Sequence, residues 1–270
     1  MSARAEPPIT HDRDLDSVLV ALVDGVQAAI GERLVGAYLH GSSGAGDFDR
    51  HSDVDFLVAV GAPLTWEELR ELQTLHRRLY DGPPPWAQRL DGSYVPLPIL
   101  RRDDGAGTKL PYIDNGSRRF VASVHCNREV IRWMVRERSI TLAGPDPREL
   151  IEPVSAASLR RQVLLDMRLW AKEIEADPDA MDNRSYQPYA VLSYCRMLYT
   201  VERGGGVSKP NAARWAVAAL GSEWAGLIER AQAQRDDPAR GVRQKADPAD
   251  LAQTHRFIDA VLARVAARAE

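Results

Sequence analysis

Two carboxylates separated by a single residue, Asp53 and Asp55, mark the start of the largely apolar run VDFLVAV over 54–60. Alternate side chains of a strand leave on the same face, so both acids point one way and Val54 the other. Paired anions at the start of a buried strand are costly unless a cation balances them. Hard oxygen donors without Cys or His beside them suit Mg²⁺, which takes one or two protein carboxylates and completes its shell with phosphate oxygens and water. The pair therefore implies a phosphate-bearing substrate. Upstream, Gly41 and Ser42 directly follow a second apolar run, LVGAYLH over 34–40. A glycine at that point lets backbone N–H groups and the Ser42 hydroxyl approach phosphate oxygens, where the pattern reads as a helix start. Ser52 immediately precedes Asp53, after a loop of nine residues. Taken alone, Asp-x-Asp is more often a turn or a cap than a metal site. The conjunction of strand, Gly-Ser, loop, Ser-Asp-x-Asp and apolar strand is what points to a metal and a triphosphate.

The elements that must position these residues follow from periodicity. Leu15, Val18, Leu19, Leu22, Val23, Val26 and Ile30 recur at helical spacing, with Asp14 as the expected cap and Gly31 as the stop. Residues 1–13 carry Pro7, Pro8 and scattered charge and read as a mobile tail. The runs 34–40 and 54–60 read as central strands. TWEELRELQTLHRRLY over 65–80 reads as a helix with Thr65 and Glu68 in a capping box, GPPP over 82–85 as a turn, and 87–95 as a third strand. The stretch 97–118, rich in Pro, Gly, Asp and Arg, reads as a long loop without an assigned element. CNREVIRWMVRER is expected to be a helix and SITLAG a short strand, and the proline-bounded GPDPRELIEP marks a domain boundary near residue 152. Beyond it, helical patterns over 155–176, 186–203, 208–220, 222–235 and 248–268 predict an all-α second domain, 153–270.

Composition narrows the class of partner. With 44% hydrophobic and 27% charged residues the chain is expected to fold, and 270 residues suffice for two compact domains. Lys and Arg number 35 against 38 Asp and Glu, so there is no positive field to gather long nucleic acid, and a small-molecule partner is favoured. No apolar stretch reaches the ~18 residues of a membrane span and the start lacks the apolar middle of a signal peptide, which gives a cytoplasmic expectation. Cys126 and Cys195 lack metal spacing and are expected to pack as reduced apolar residues in two different helices. His40, His51 and His125 are scattered and are read as structural, with none assigned to metal. Trp133, Trp170, Trp215 and Trp224 fall at helical spacing among apolar neighbours and are read as core.

The segment HGSSGAGDFDRHSDVDFLVAV, 40–60, resembles the signature of the polymerase-β-like nucleotidyltransferases, in which a Gly-Ser precedes an Asp-x-Asp strand. The resemblance implies an α/β (α+β) nucleotidyltransferase domain with a small mixed sheet, here 1–152, and a third carboxylate on a neighbouring strand. Asp91, in WAQRLDGSYVP, is the candidate, either on a strand or, since Gly92 follows it, in a turn. The second half is similar to the streptomycin and spectinomycin adenylyltransferases in VLSYCRMLYTVERGGGVSKPNAARWAV, 191–217. That similarity implies that Arg196 and Lys209 reach the nucleotide phosphates. It further implies ATP as co-substrate, Mg²⁺, expected as two ions on Asp53, Asp55 and Asp91, and transfer of AMP to a hydroxyl of an aminoglycoside, hence antibiotic resistance. In MDNRSY, 181–186, Asp182 is the candidate contact for a cationic acceptor. Another metabolite or RNA as acceptor, or a silent nucleotide-binding regulatory module, stay open as alternatives.

Overall fold

The computed structural model describes residues 8–41, 52–102, 107–235 and 244–267. The chain divides into two compact units, Met1–Val154 and Ser155–Glu270.

The first unit opens with helix α1, Arg13–Ile30, whose residues Leu15, Leu19, Leu22 and Val26 are fully buried. The cap is Asp12, not Asp14: the Asp12 carboxylate accepts the N–H groups of Asp14 and Leu15, which leaves Asp14 in the first turn beside the helix's positive end. Gly31, at φ 54°, ends the helix as expected. The tail expected over 1–13 lies outside the described residues as far as residue 7. Beyond that, Asp16 fastens the chain, accepting the N–H of Ile9 and both the N–H and hydroxyl of Thr10.

Strands β1 (Leu34–Leu39), β2 (Val54–Val60), β3 (Leu90–Pro96), β4 (Leu110–Ile113), β5 (Val121–Ser123) and β6 (Ile140–Ala143) form one mixed sheet in the order β5-β4-β3-β2-β1-β6. The two strands flanking the Asp-x-Asp loop, β1 and β2, pair antiparallel in the interior of the sheet, while β2 and β3 run parallel. Helix α2, Trp66–Asp81, links β2 to β3 and carries the Thr65–Glu68 capping box read from sequence. A short 3₁₀ turn, Pro85–Arg89, takes up the start of the expected third strand, which begins at Leu90 and so places Asp91 on a strand.

The stretch 97–118 is not one loop. It contains the short helix α3, Leu97–Arg101, and strand β4. Its Pro and Gly content hides only four strand residues, too few for a period to be visible. Helix α4 begins at Glu129 and runs to Arg138, so Cys126 lies in the connection before it and not in a helix. The short helix α5, Pro147–Leu150, falls in the proline-bounded link.

Alternation along the strands sorts the core into two layers. Val54, Phe56, Val58 and Val60 pack with α1 and α2, whereas Leu57 and Ala59 face the opposite way, with Tyr38, Val95, Tyr112, Cys126 and Val135. Gly92 is required where β3 lies against β2, because a Cβ there would overlap the Phe56 carbonyl oxygen.

The second unit holds α6 (Ala156–Ala176), α7 (Tyr186–Arg203), α8 (Lys209–Leu220), α9 (Ser222–Arg235) and α10 (Pro248–Ala266). Ser155, Ser208 and Asp247 cap α6, α8 and α10, and Gly204, left-handed at φ 75°, closes α7. Its core gathers Met167, Leu198, Ala213, Leu227, Phe257 and Val261 around Tyr194, which stacks on Trp170 at 5.1 Å. Trp224 is buried there, while Trp170 and Trp215 pack against the same core only partly covered. Both cysteines are free and buried. Among the described residues no helix is long and apolar enough to cross a membrane.

Candidate active site

Sheet register assembles the acids of the first unit. Asp55 stands second in β2 and Asp91 second in β3, and the two are direct partners in the parallel ladder. Their side chains therefore share a face, the one that Leu57 and Val95 continue as buried core. Asp53, two residues before Asp55 and exposed, has the same parity, and its charge acts on Asp91. Because β1 is antiparallel to β2, its final residues arrive at this same end of the sheet. The His40 N–H donates to the Asp55 carbonyl at 2.8 Å, and Gly41 follows at φ 68°. A Cβ on Gly41 would overlap Asp55 Oδ2 and lie 2.7 Å from Asp55 Cγ. The glycine is thus needed twice, for its left-handed backbone and for the space that the Asp55 carboxylate fills.

Asp91 is half-buried and its pKa is raised, first by burial and also by the Asp53 charge, against the lowering effects of the Tyr112 hydrogen bond and of His125. Tyr112 Oη donates to the carboxylate and stands 2.8 Å from each of its oxygens. Tyr112 lies opposite Ser93 in the β3–β4 pair, which brings its ring onto the acids' face one diagonal step from Asp91. The exposed His125 ring packs on Tyr112 at 5.2 Å, tilted by 36°. Burial, with the Asp91 and Asp55 charges behind it, pushes the Cys126 thiol up to about 12, and burial pushes His40 down to about 4.

These arrangements fit a divalent cation held together with a triphosphate more than a closed protein cage. Among the described residues no three His, Cys, Asp or Glu groups converge closely enough to hold an ion by themselves. Mg²⁺ does not require that, since it keeps water and phosphate oxygens in its shell. No salt bridge reaches Asp53 or Asp91 among the described residues, so neither acid is neutralised by an internal Lys or Arg there. Ser52 is buried just ahead of Asp53. Ser42 lies outside the described residues.

In the second unit, Lys209 is the first residue of α8, directly after the Ser208 cap. A cation at the positive end of a helix opposes the helix dipole and gains no stability from it. Its Nζ lies 4.2 Å from the centre of the half-exposed Tyr189 ring. Arg196 is half-buried on α7, seven residues after Tyr189 and so on the same helix face. Asp182 is differently placed. It accepts from Lys245 Nζ at 2.8 Å and from the Ala246 N–H at 3.2 Å, which lowers its pKa, so a cationic acceptor would have to displace Lys245.

Tyr112 is the residue beside these acids that sequence reasoning passed over, whereas His40 and His125 are read from sequence as structural. Tyr112 sat in a stretch read as loop, and the histidines lie 85 positions apart in sequence with nothing to link them before the sheet forms. The charge of His125 nonetheless acts on both His40 and Asp91.

Comparison with known proteins places these features in context. Residues 149–264 match the family model "Aminoglycoside adenylyltransferase, C-terminal domain". The chain is 24% identical over 232 residues to an aminoglycoside (3'') (9) adenylyltransferase of Shigella flexneri, covering 81% of this chain and 84% of that protein. It is 25% identical over 241 residues to a spectinomycin 9-adenylyltransferase of Staphylococcus aureus, covering 82% and 86%. A crystal structure of a spectinomycin adenyltransferase from Enterococcus faecialis with ATP and spectinomycin superposes with a TM-score of 0.70 over 90% of this chain and 98% of that one, at 15% identity. The chain thus resembles the aminoglycoside adenylyltransferases along most of its length and shares their fold.

Proposed function

We propose that this chain is a Mg²⁺-dependent nucleotidyltransferase that moves AMP from ATP to a hydroxyl of a small molecule, an aminoglycoside such as streptomycin or spectinomycin, and releases pyrophosphate. The observation that carries the reading is the register Asp55↔Asp91 on adjacent parallel strands, with Gly41 shaped to admit the Asp55 carboxylate. The resemblance to adenylyltransferases along most of the chain supports it and directs the choice of nucleotide and acceptor.

In this reaction Asp53 and Asp55 would hold two ions, and Asp91 would complete their site or accept the proton of the attacking hydroxyl. Mg²⁺, when bound, offsets triphosphate charge and lowers the pKa of the attacking hydroxyl. The Gly41 backbone and the Ser42 and Ser52 hydroxyls orient phosphate oxygens for in-line attack. Lys209 and Arg196 supply cations for the charge that accumulates on pyrophosphate as it leaves. Asp182 enters as an acceptor contact only where the acceptor's amine replaces the Lys245 ammonium. Catalysis of this kind depends on placement and charge more than on a covalent intermediate.

The test is pyrophosphate release from ATP and Mg²⁺ across a panel of aminoglycosides and other hydroxylated acceptors, with D53N and D55N alongside. Acceptor-dependent release that both variants lose by at least about a hundredfold, with unchanged unfolding curves, is the expected result. Full activity in both variants would sink the reading.

A further inference from the structure

The inference here rests on the reading of Asp53, Asp55 and Asp91 as the reacting centre, and concerns a residue that reading leaves without a role. Tyr112 Oη stands at the same distance, 2.8 Å, from Asp91 Oδ1 and Oδ2. Equal distances place the hydroxyl on the plane that bisects the carboxylate, between its two oxygens, where it competes with any cation that both oxygens would chelate. Nor is the tyrosine loosely held: it is 7% exposed, sits within β4 opposite Ser93, and has the His125 ring packed against it. A side chain so enclosed cannot swing aside without breaking sheet packing.

We infer that Tyr112 is a positioning residue for the reaction. It closes the chelating side of Asp91, fixes the rotation of the carboxylate, and leaves its outward lone pairs to work through one oxygen at a time. Asp53 and Asp55 then hold the cation, and Asp91 serves beside them without gripping an ion with both oxygens. Among the described residues the acids form no closed ion cage. A cage would hold metal tightly without substrate, whereas an open site takes its ions with the triphosphate. The sequence signal was nearly absent, a lone tyrosine in LPYI, because the function arises from cross-strand geometry.

Y112F keeps the ring and removes only the hydroxyl. The expected result is a fall in kcat of about tenfold or more, the usual scale for a hydrogen bond to a charged group, with KM for ATP unchanged. A second readout does not depend on turnover. Mn²⁺ binding to the protein with a non-hydrolysable ATP analogue, followed by electron paramagnetic resonance, is expected to tighten several-fold in Y112F as the chelating side opens. Both effects are expected to vanish in a D91N background measured by single turnover, since Tyr112 acts through Asp91. Unaltered kcat and Mn²⁺ binding in Y112F, while D91N is impaired, would overturn the inference and leave the proposed reaction standing. A Y112F effect of the same size with Asn at 91 would overturn it too. Wild-type behaviour of D53N, D55N and D91N together would instead remove the proposed reaction itself.

Discussion

Replacing Gly41 by Ala tests the site geometry most directly, because the perturbation can be sized from the structure. The new Cβ would overlap Asp55 Oδ2 and fall 2.7 Å from Asp55 Cγ. Carbon atoms pack at about 3.5 Å or more, so the carboxylate would have to retreat by about 0.8 Å to restore contact with Cγ alone. Gly41 also sits at φ 68°, and a left-handed residue with a Cβ costs about 1–2 kcal/mol. The fold should survive that loss, since a domain holds roughly 5–15 kcal/mol. The site should not, because a displacement of about 1 Å in a reacting group can cost about a hundredfold. G41A is therefore expected to unfold at a modestly lower urea concentration while acceptor-dependent pyrophosphate release falls by about two orders of magnitude. Turnover within about threefold of wild type would refute the argument that Asp55 occupies the space of the missing Cβ.

The remaining predictions use other parts of the molecule. K209A and R196A should each raise KM for ATP by about tenfold or more, the scale of a charge-assisted hydrogen bond, without altering the unfolding midpoint; unchanged KM in both would remove them from the phosphate site. Y189L, which deletes the ring under Lys209 Nζ, should move KM for ATP the same way but less, and Y189F should restore it. Burial pushes His40 down to about 4 and His76, enclosed on α2, down to about 3. The folded protein then binds fewer protons than the unfolded chain, so this stability is fully present above about pH 6.5 and is lost as pH falls towards about 4 and then 3. At about 1.4 kcal/mol per pH unit His40 contributes on the order of 3 kcal/mol and His76 on the order of 5 kcal/mol, and urea midpoints that stay constant from pH 7 to 4.5 would refute it.

Much of this was legible before any coordinates. The Asp-x-Asp spacing, the apolar strand behind it and the Gly-Ser ahead are local patterns, and a strand's period of two alone puts Asp53 and Asp55 on one face. Helix ends were equally local: Thr65 with Glu68, and Gly31, needed only neighbours a few residues away. Asp12 displaced Asp14 as a cap because both are good caps and the choice depends on tertiary contacts: the Trp86 indole N–H, 74 residues further on, donates to the Asp12 carboxylate, and Asp16 anchors the entry.

What tertiary structure alone decided is which distant residues meet. Asp91 joins Asp55 because β3 pairs parallel to β2 in one register, and a slip of a single residue would have turned it to the opposite face. Tyr112 reaches Asp91 through a β4 too short to announce itself, and His125 comes to lie against Tyr112 from a connection with no pattern. Periodicity is a property of consecutive residues and survives in the sequence. Register between strands is set by packing and ladder hydrogen bonds among residues far apart in the chain, and exists only once the sheet has formed.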